Sequence, residues 1–201
     1  SSTGVVTTIK TLTKTGHTFR GWYTASGGNG SLIINTNGIL QANVSGYTNS
    51  SGKWIKAQDT TVYAYYTVNP YTIEYKDQGN ATFSGNNLSS LPKTHTYGTA
   101  TTLVNGSKTG YTFDGWFTNP ECSGNPITSL SATGYTSNIT LYAKWTIIPY
   151  TITYNLNGGT GTMTPTTYNV ETPTFSLPTP TRSGYTFKGW FTKSTGGYPI
   201  H

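Results

Sequence analysis

Apolar and polar residues alternate in short runs along this chain, at the spacing of strands rather than helices. In Thr140-Leu-Tyr-Ala-Lys-Trp-Thr146, Leu141, Ala143 and Trp145 fall on one parity and Tyr142 and Lys144 on the other. That pattern predicts a half-buried strand with a polar-tipped outer side. Thr61-Val-Tyr-Ala-Tyr-Tyr-Thr67 has the same form, 79 residues earlier. Each of these closing strands is followed at once by Pro70-Tyr-Thr-Ile-Glu-Tyr75 or Pro149-Tyr-Thr-Ile-Thr-Tyr154, an alternating opening strand. Proline cannot donate to a ladder and suits the first position of a strand. Residues 1–15 alternate weakly and read as one strand. Only Asn87-Leu-Ser-Ser-Leu91 suggests a helix, with Asn86 or Asn87 as cap and Pro92 as stop.

Between opening and closing strands lies a motif that occurs three times: Gly16-His-Thr-Phe-Arg-Gly-Trp-Tyr-Thr24, Gly110-Tyr-Thr-Phe-Asp-Gly-Trp-Phe-Thr118 and Gly184-Tyr-Thr-Phe-Lys-Gly-Trp-Phe-Thr192. A motif present in three copies is the hydrophobic signature of a repeated unit, not an active site. Its Phe and Trp are three positions apart and would face opposite ways in a straight strand. The glycine before each Trp predicts a bulge that turns both rings into one core. Phe19, Gly21 and Trp22, then Phe113, Gly115 and Trp116, then Phe187, Gly189 and Trp190 are therefore the expected core signature.

The spacing divides the chain into residues 1–69, 70–148 and 149–201. The first repeat lacks an opening strand and carries a Gly-, Ser- and Asn-rich insertion over 25–60. The second is complete, and the third has no closing strand. Val68-Asn69 and Ile147-Ile148 are the only links before the prolines, so neighbouring repeats should have little freedom and form a semi-rigid string. The uneven ends predict either a piece of a longer tandem array or strand exchange, in which half-repeats of successive chains complete one another head to tail.

Composition sharpens this picture. Aromatics make up 14% of the 201 residues, with 16 Tyr and 5 Trp, so large rings rather than many aliphatics must fill the cores. Thr is the commonest residue, which favours strands. Charged residues are only 9%, and the net charge of +6 comes from scattered Lys and Arg. Without a basic patch, nucleic-acid binding is not expected. Weak attraction to an acidic wall polymer is the most such a surface offers. One cysteine, Cys122, excludes an internal disulfide, so stability must come from packing. No apolar run approaches 18 residues, so no membrane insertion is expected in this segment.

The signature GYTFDGWFT (110–118), the strand TLYAKW (140–145) and the stretch YTITYNLNGGT (150–160) together resemble the Listeria–Bacteroides repeat family, the B-repeats of internalin-type surface proteins. The resemblance covers nearly the whole chain. It implies a mostly β fold, built as tandem small β-grasp-like modules with a mixed sheet and at most one short helix each, in an elongated string. It also implies an extracellular place, on a bacterial cell surface or secreted, as stalk, spacer, adhesin or fibre, and it brings no catalytic residues. Departures are His17 for Tyr, the long insertion with Trp54, and Asp77-Gln-Gly-Asn80 where the third copy has Asn155-Leu-Asn-Gly-Gly159.

The residues themselves supply no catalytic, cofactor or metal constellation. His17, His95 and His201 lack ligand spacing; His17 replaces an aromatic, and the other two are expected at the surface. Cys122 lies in a turn with no paired base. Asp59, Glu74, Asp77, Asp114, Glu121 and Glu171 are too dispersed for a facing carboxylate pair. The expected role is non-catalytic, with neighbouring repeats of the same or an identical chain as partners. The alternative is a carbohydrate- or host-ligand-binding module, in which Trp54, Tyr63, Tyr65 and Tyr142 stack on cell-wall or host glycans.

Overall fold

The structure is a computed structural model that describes residues 12–200. Most of the strand expected over 1–15, and His201, lie outside the described residues. The chain forms short strands linked by turns, with three single 3₁₀ turns and no α-helix among the described residues. It packs as two compact units. One contains the described residues up to Gly106 together with Gly115–Lys144, the other Ser107–Asp114 together with Trp145 onward.

In the first repeat, β1 (His17–Tyr23) is flanked by β2 (Leu32–Ile34) and β3 (Tyr63–Val68), both antiparallel to it. The β1–β3 register shifts between Phe19 and Gly21, where Gly21 has φ +117. Phe19 and Trp22 meet edge to face, 6.0 Å apart. The shift thus lies immediately before the Trp, where the three-residue spacing of the rings called for a bulge.

The insertion over 25–60 is more than a loop. Ile33, Ile34 and Val44 are buried and gather Trp22, Leu40, Tyr47, Trp54 and Val62 around them. Its turns are stapled by asparagine side chains. Asn35 Oδ1 accepts the amides of Asn37 and Ile39, and Asn49 Oδ1 those of Ser51 and Lys53. Side-chain acceptors of this kind stand in for the backbone partners that irregular chain lacks.

The second repeat carries the fullest sheet. Here β4 (Pro70–Asp77) pairs antiparallel with β5 (Ala81–Thr82) and β6 (Thr94–Thr96). On its other side β4 runs parallel to the closing strand, which is numbered β10 (Ile139–Ile147), with Ile73 opposite Ile139 and Tyr75 opposite Leu141. Beyond β10 lies the signature strand β8 (Tyr111–Phe117). A separate pair, β7 (Thr101–Thr102) with β9 (Ser129–Leu130), closes over the core. The sheet is mixed, with the closing strand in its middle. Buried on it are Ile73, Tyr75, Phe83, Leu91, Leu103, Trp116, Leu130, Ile139, Leu141 and Ala143.

Two expectations need correction here. The helix candidate is one 3₁₀ turn, Leu88–Ser90, and Asn87 makes no capping hydrogen bond; its amide instead donates to the Asn105 carbonyl at 2.8 Å. Three residues before Pro92 leave no room for a longer helix. His95, expected at the surface, is wholly buried. Its Nδ1 lies 2.9 Å from Thr101 Oγ1 and its ring packs edge-on against Tyr135 at 5.8 Å.

The third repeat is the least regular. Its opening strand shortens to β11 (Tyr150–Thr151), paired antiparallel with β12 (Thr167–Tyr168). Its signature forms no strand and has one isolated bridge, Phe191 to Pro199. In the second repeat the signature strand lies against the closing strand; no such neighbour occurs among the described residues of the third.

Candidate functional site: the joints between repeats

Each signature opens on a glycine, and two of these glycines are where one repeat meets the next. Gly16 has φ +66 and Gly110 φ +79, a region that favours glycine. At the first joint the Asn69 amide donates to the Gly16 carbonyl at 2.9 Å, and the Tyr97 amide donates to the Asn69 carbonyl at 3.1 Å. At the second the Ile148 amide donates to the Gly110 carbonyl, again at 2.9 Å. Asn69 and Ile148 each precede the proline that begins an opening strand. The link is thus bonded back onto the signature before the next strand starts.

Both glycines are also close-packed. A Cβ on Gly16 would stand 2.1 Å from the Tyr97 ring, and one on Gly110 would stand 2.6 Å from Val170 Cβ. Tyr97 and Val170 occupy matching positions, each two residues beyond the partner of the opening tyrosine, His95 opposite Tyr71 and Tyr168 opposite Tyr150. Around these close approaches the joints diverge. His17 meets the Tyr97 ring edge-on at 5.7 Å, and Thr18 Oγ1 donates to Asn69 Oδ1 at 2.6 Å. Tyr111 instead donates its hydroxyl to the Glu171 carboxylate. That bond raises the Tyr111 phenol above its ordinary pKa, because ionisation would remove the proton it donates and would also set two negative charges together.

The rest of the signature is tied to the closing strand in the same way twice. Phe19 packs on Tyr66 at 5.4 Å and Phe113 on Trp145 at 5.2 Å. The charged residue after the Phe bonds a closing-strand threonine. Arg20 Nε donates to Thr67 Oγ1 at 2.8 Å, and Thr146 Oγ1 donates to Asp114 Oδ2 at 2.6 Å. Arginine and aspartate can serve alike because a hydroxyl both donates and accepts.

Sequence reasoning missed a cation two positions before each signature glycine. Lys14 lies 5.6 Å from the Tyr66 ring, and Lys108 5.9 Å from Trp145 and 3.8 Å from Tyr111. Arg182 lies 3.9 Å from Tyr185. The signal was present, since Lys-Thr-Gly, Lys-Thr-Gly and Arg-Ser-Gly precede the three copies. Each places a cation over an aromatic face.

Two of the three signature tryptophans share one further bond. Trp116 Nε1 donates to the Val104 carbonyl and Trp190 Nε1 to the Pro178 carbonyl, both at 2.8 Å and twelve residues back. Trp22 Nε1 is buried without a partner among the described residues.

Of the residues considered for ligand contact, Tyr63 is the most open. Tyr65 packs edge-on against Tyr23 at 5.2 Å, and Tyr142 is half-buried on β10. Trp54 is held against Tyr47 at 5.8 Å, with its indole N–H donated to the Lys56 carbonyl at 3.0 Å. Cys122 is buried, and burial raises its thiol pKa, the reverse of an activated nucleophile. The described residues contain no cluster of three or more metal-ligating side chains. Among them no helix is long and apolar enough to cross a membrane.

Tyr75 gives the second repeat a pH dependence. Burial pushes its phenol up to about 12, and its hydroxyl donates to the Pro92 carbonyl at 2.8 Å. The neutral form is the folded form, so its contribution is intact below the ordinary tyrosine value of about 10 and is lost as pH rises from there towards 12. Denaturation midpoints measured across that window should fall for the native protein. They should fall less for Tyr75→Phe, whose ring cannot ionise.

The Listeria-Bacteroides repeat domain matches this chain three times, over residues 1–65, 71–144 and 150–200. A Gly-rich membrane protein of Evansella cellulosilytica is 30% identical over 191 residues, covering 90% of this chain and 20% of that protein. Internalin H of Listeria monocytogenes is 37% identical over 92 residues, covering 45% of this chain and 16% of its own length. The chain thus spans about a fifth of the curated relatives it matches. No solved structure matches it. Three signatures, two joints closed by the same backbone bond, and a threefold match along almost the whole chain place it in the Listeria-Bacteroides repeat family.

Proposed function

We propose that this chain is a non-catalytic stalk or spacer segment of a bacterial cell-surface or secreted protein. Its tandem β-grasp-like repeats would hold another part of that protein away from the cell. The observation that carries this reading is the repeated joint. At both boundaries the link is bonded back onto the signature glycine and the glycine is packed by the next repeat. A spacer needs joints that hold direction, and such joints restrict the torsions a free linker would sample. The names of the relatives, an internalin and a membrane protein, fit a surface location. The signature residues Phe19, Gly21, Trp22, Phe113, Gly115 and Trp116 serve this role as structural anchors; in the third copy, Phe187, Gly189 and Trp190, the phenylalanine expected in a core is 37% exposed.

Small-angle scattering tests the reading. A single globule of 201 residues would have a radius of gyration of about 17 Å. A spacer should give a clearly larger value that changes little with salt. A value near that of the globule would overturn the proposal.

A further inference from the structure

The first repeat presents a face that the second does not. On β3, Tyr63, Tyr65 and Thr67 share one parity and so one side of the sheet. Tyr63 stands opposite Tyr23 on β1, and the Tyr23 ring meets Tyr65 edge-on at 5.2 Å. Arg20 reaches the same side, since its Nε donates to Thr67 Oγ1 at 2.8 Å. Three phenol rings and one guanidinium thus share one face.

The face is held in place from below. Gly28 packs so closely on the Tyr65 ring that a Cβ there would stand 2.8 Å from it. Arg20 is fixed through Nε, and its two terminal nitrogens have no partner among the described residues. The hydroxyls of Tyr23, Tyr63 and Tyr65 have none among them either. Tyr63 is 40% exposed and Arg20 is exposed. Thr67, Tyr65 and Tyr63 step along β3 at about 7 Å for every two residues. The cation and the outermost ring are therefore spaced for an oligosaccharide rather than a small ion.

In the second repeat Asp114 stands at the position of Arg20, Phe117 at that of Tyr23 and Lys144 at that of Tyr65. A carboxylate replaces the guanidinium, Phe117 is only 4% exposed, and one ring is lost to an amine. Charge divides the same way. Over residues 12–69, Lys14, Arg20, Lys53 and Lys56 are opposed by Asp59 alone, whereas residues 70–148 carry four cations and four carboxylates. An anionic polymer is drawn to the first repeat and not to the second.

We infer that this face binds a carboxylated glycan, a polymer of uronic-acid pyranoses. The ring faces of Tyr63 and Tyr65 take the apolar faces of sugars, and the phenol edges meet their hydroxyls. The free end of the Arg20 fork takes a carboxylate, whose planar geometry it matches with two parallel bonds. A peptide added as a strand fits less well. At Tyr23 strand β1 is already paired on both sides, with Leu32 and with Tyr63, so the face offers side chains and not a strand edge. This goes beyond the spacer reading, and the scattering test of that reading does not depend on it.

The probe is tetragalacturonate, titrated into the isotope-labelled 201-residue protein and followed by amide NMR. Maltotetraose supplies the sugar without the charge, tetraglutamate the charge without the sugar, and a mannose phosphate oligosaccharide a tetrahedral acid in place of a planar one. The expected result is saturable binding of tetragalacturonate, with shifts concentrated in 18–23 and 63–67, and clearly weaker binding of the other three. Arg20→Asp installs the residue of the second repeat, which bonds the matching threonine there. It should keep the sheet and lower the affinity about 10-fold, the loss of one charge-assisted pair. Tyr63→Ser removes the most open ring and should weaken binding several-fold with the cation in place. If Arg20→Asp disturbs the fold, Tyr63→Ser and the four-probe comparison on the native protein still decide. No binding, equal or tighter binding of any other probe, shifts confined to other segments, or unchanged affinity in either folded variant overturns the inference.

Discussion

Trp116→Ala unfolds the second repeat or brings it to the edge of unfolding. Trp116 is 1% exposed and lies between Tyr75 at 4.8 Å and Phe83 at 5.7 Å. Truncating a buried aromatic costs about 3–5 kcal/mol, from lost transfer energy and the cavity left behind. The Val104 carbonyl also loses its indole donor, an unmet bond that adds to the cost. Against a domain stability of about 5–15 kcal/mol the loss takes a large share. Trp116→Phe should recover much of the packing and none of the indole bond. Urea denaturation followed by near-ultraviolet circular dichroism checks this. An unchanged midpoint for Trp116→Ala would remove the residue from the core. Trp190→Ala should cost less, because the Trp190 ring borders an open cleft.

Gly110→Ala breaks the second joint. At φ +79 an alanine carries a backbone penalty of about 1–2 kcal/mol. Its Cβ would also stand 2.6 Å from the branched Cβ of Val170, and relieving such an overlap costs about 1–3 kcal/mol more. Together the loss is about 2–5 kcal/mol, concentrated where the Ile148 amide bonds the Gly110 carbonyl. Hydrogen exchange at Ile148 should accelerate accordingly. Gly184→Ala is the control. It has φ +76 but nothing within 4 Å of the new Cβ, so only the backbone penalty applies. Equal effects at the two glycines would mean that the close packing at the joint contributes nothing.

Much of the strand plan was legible because alternation is a local signal. β3, β4 and β10 lie where apolar residues fall on one parity, and the bulge before Trp22 follows from the spacing of its two rings. The signals that failed depend on partners distant in sequence. Thr94-His95-Thr96 reads as polar surface, yet pairing with Pro70–Thr72 turns His95 inward. Comparison with Tyr168, which stands at the same register, would have flagged that position as one that takes a ring. The third signature reads as a strand because it repeats the second, but alternation is necessary and not sufficient without a neighbour to pair with. Trp54 looked like an open ring in a polar loop. Its burial depends on Ile33, Ile34 and Val44, which only the folded insertion brings together. The joints escaped for a related reason, since nothing in Gly16 or Gly110 alone tells a glycine needed for its torsion from one needed for want of a Cβ.

The two packed units divide inside β8 and β10, between Asp114 and Gly115 and between Lys144 and Trp145, not at the prolines where the sequence repeat begins. Between the second and third repeats, the boundary of the packing is thus offset from the boundary of the sequence repeat. In a linear array held together by nearest-neighbour interfaces, this offset makes the starting point of a duplication irrelevant. A stretch copied or lost from any position restores every seam, provided it is one period long. Such an array can change its number of repeats by recombination between near-identical signatures without ever leaving one half-built in its interior.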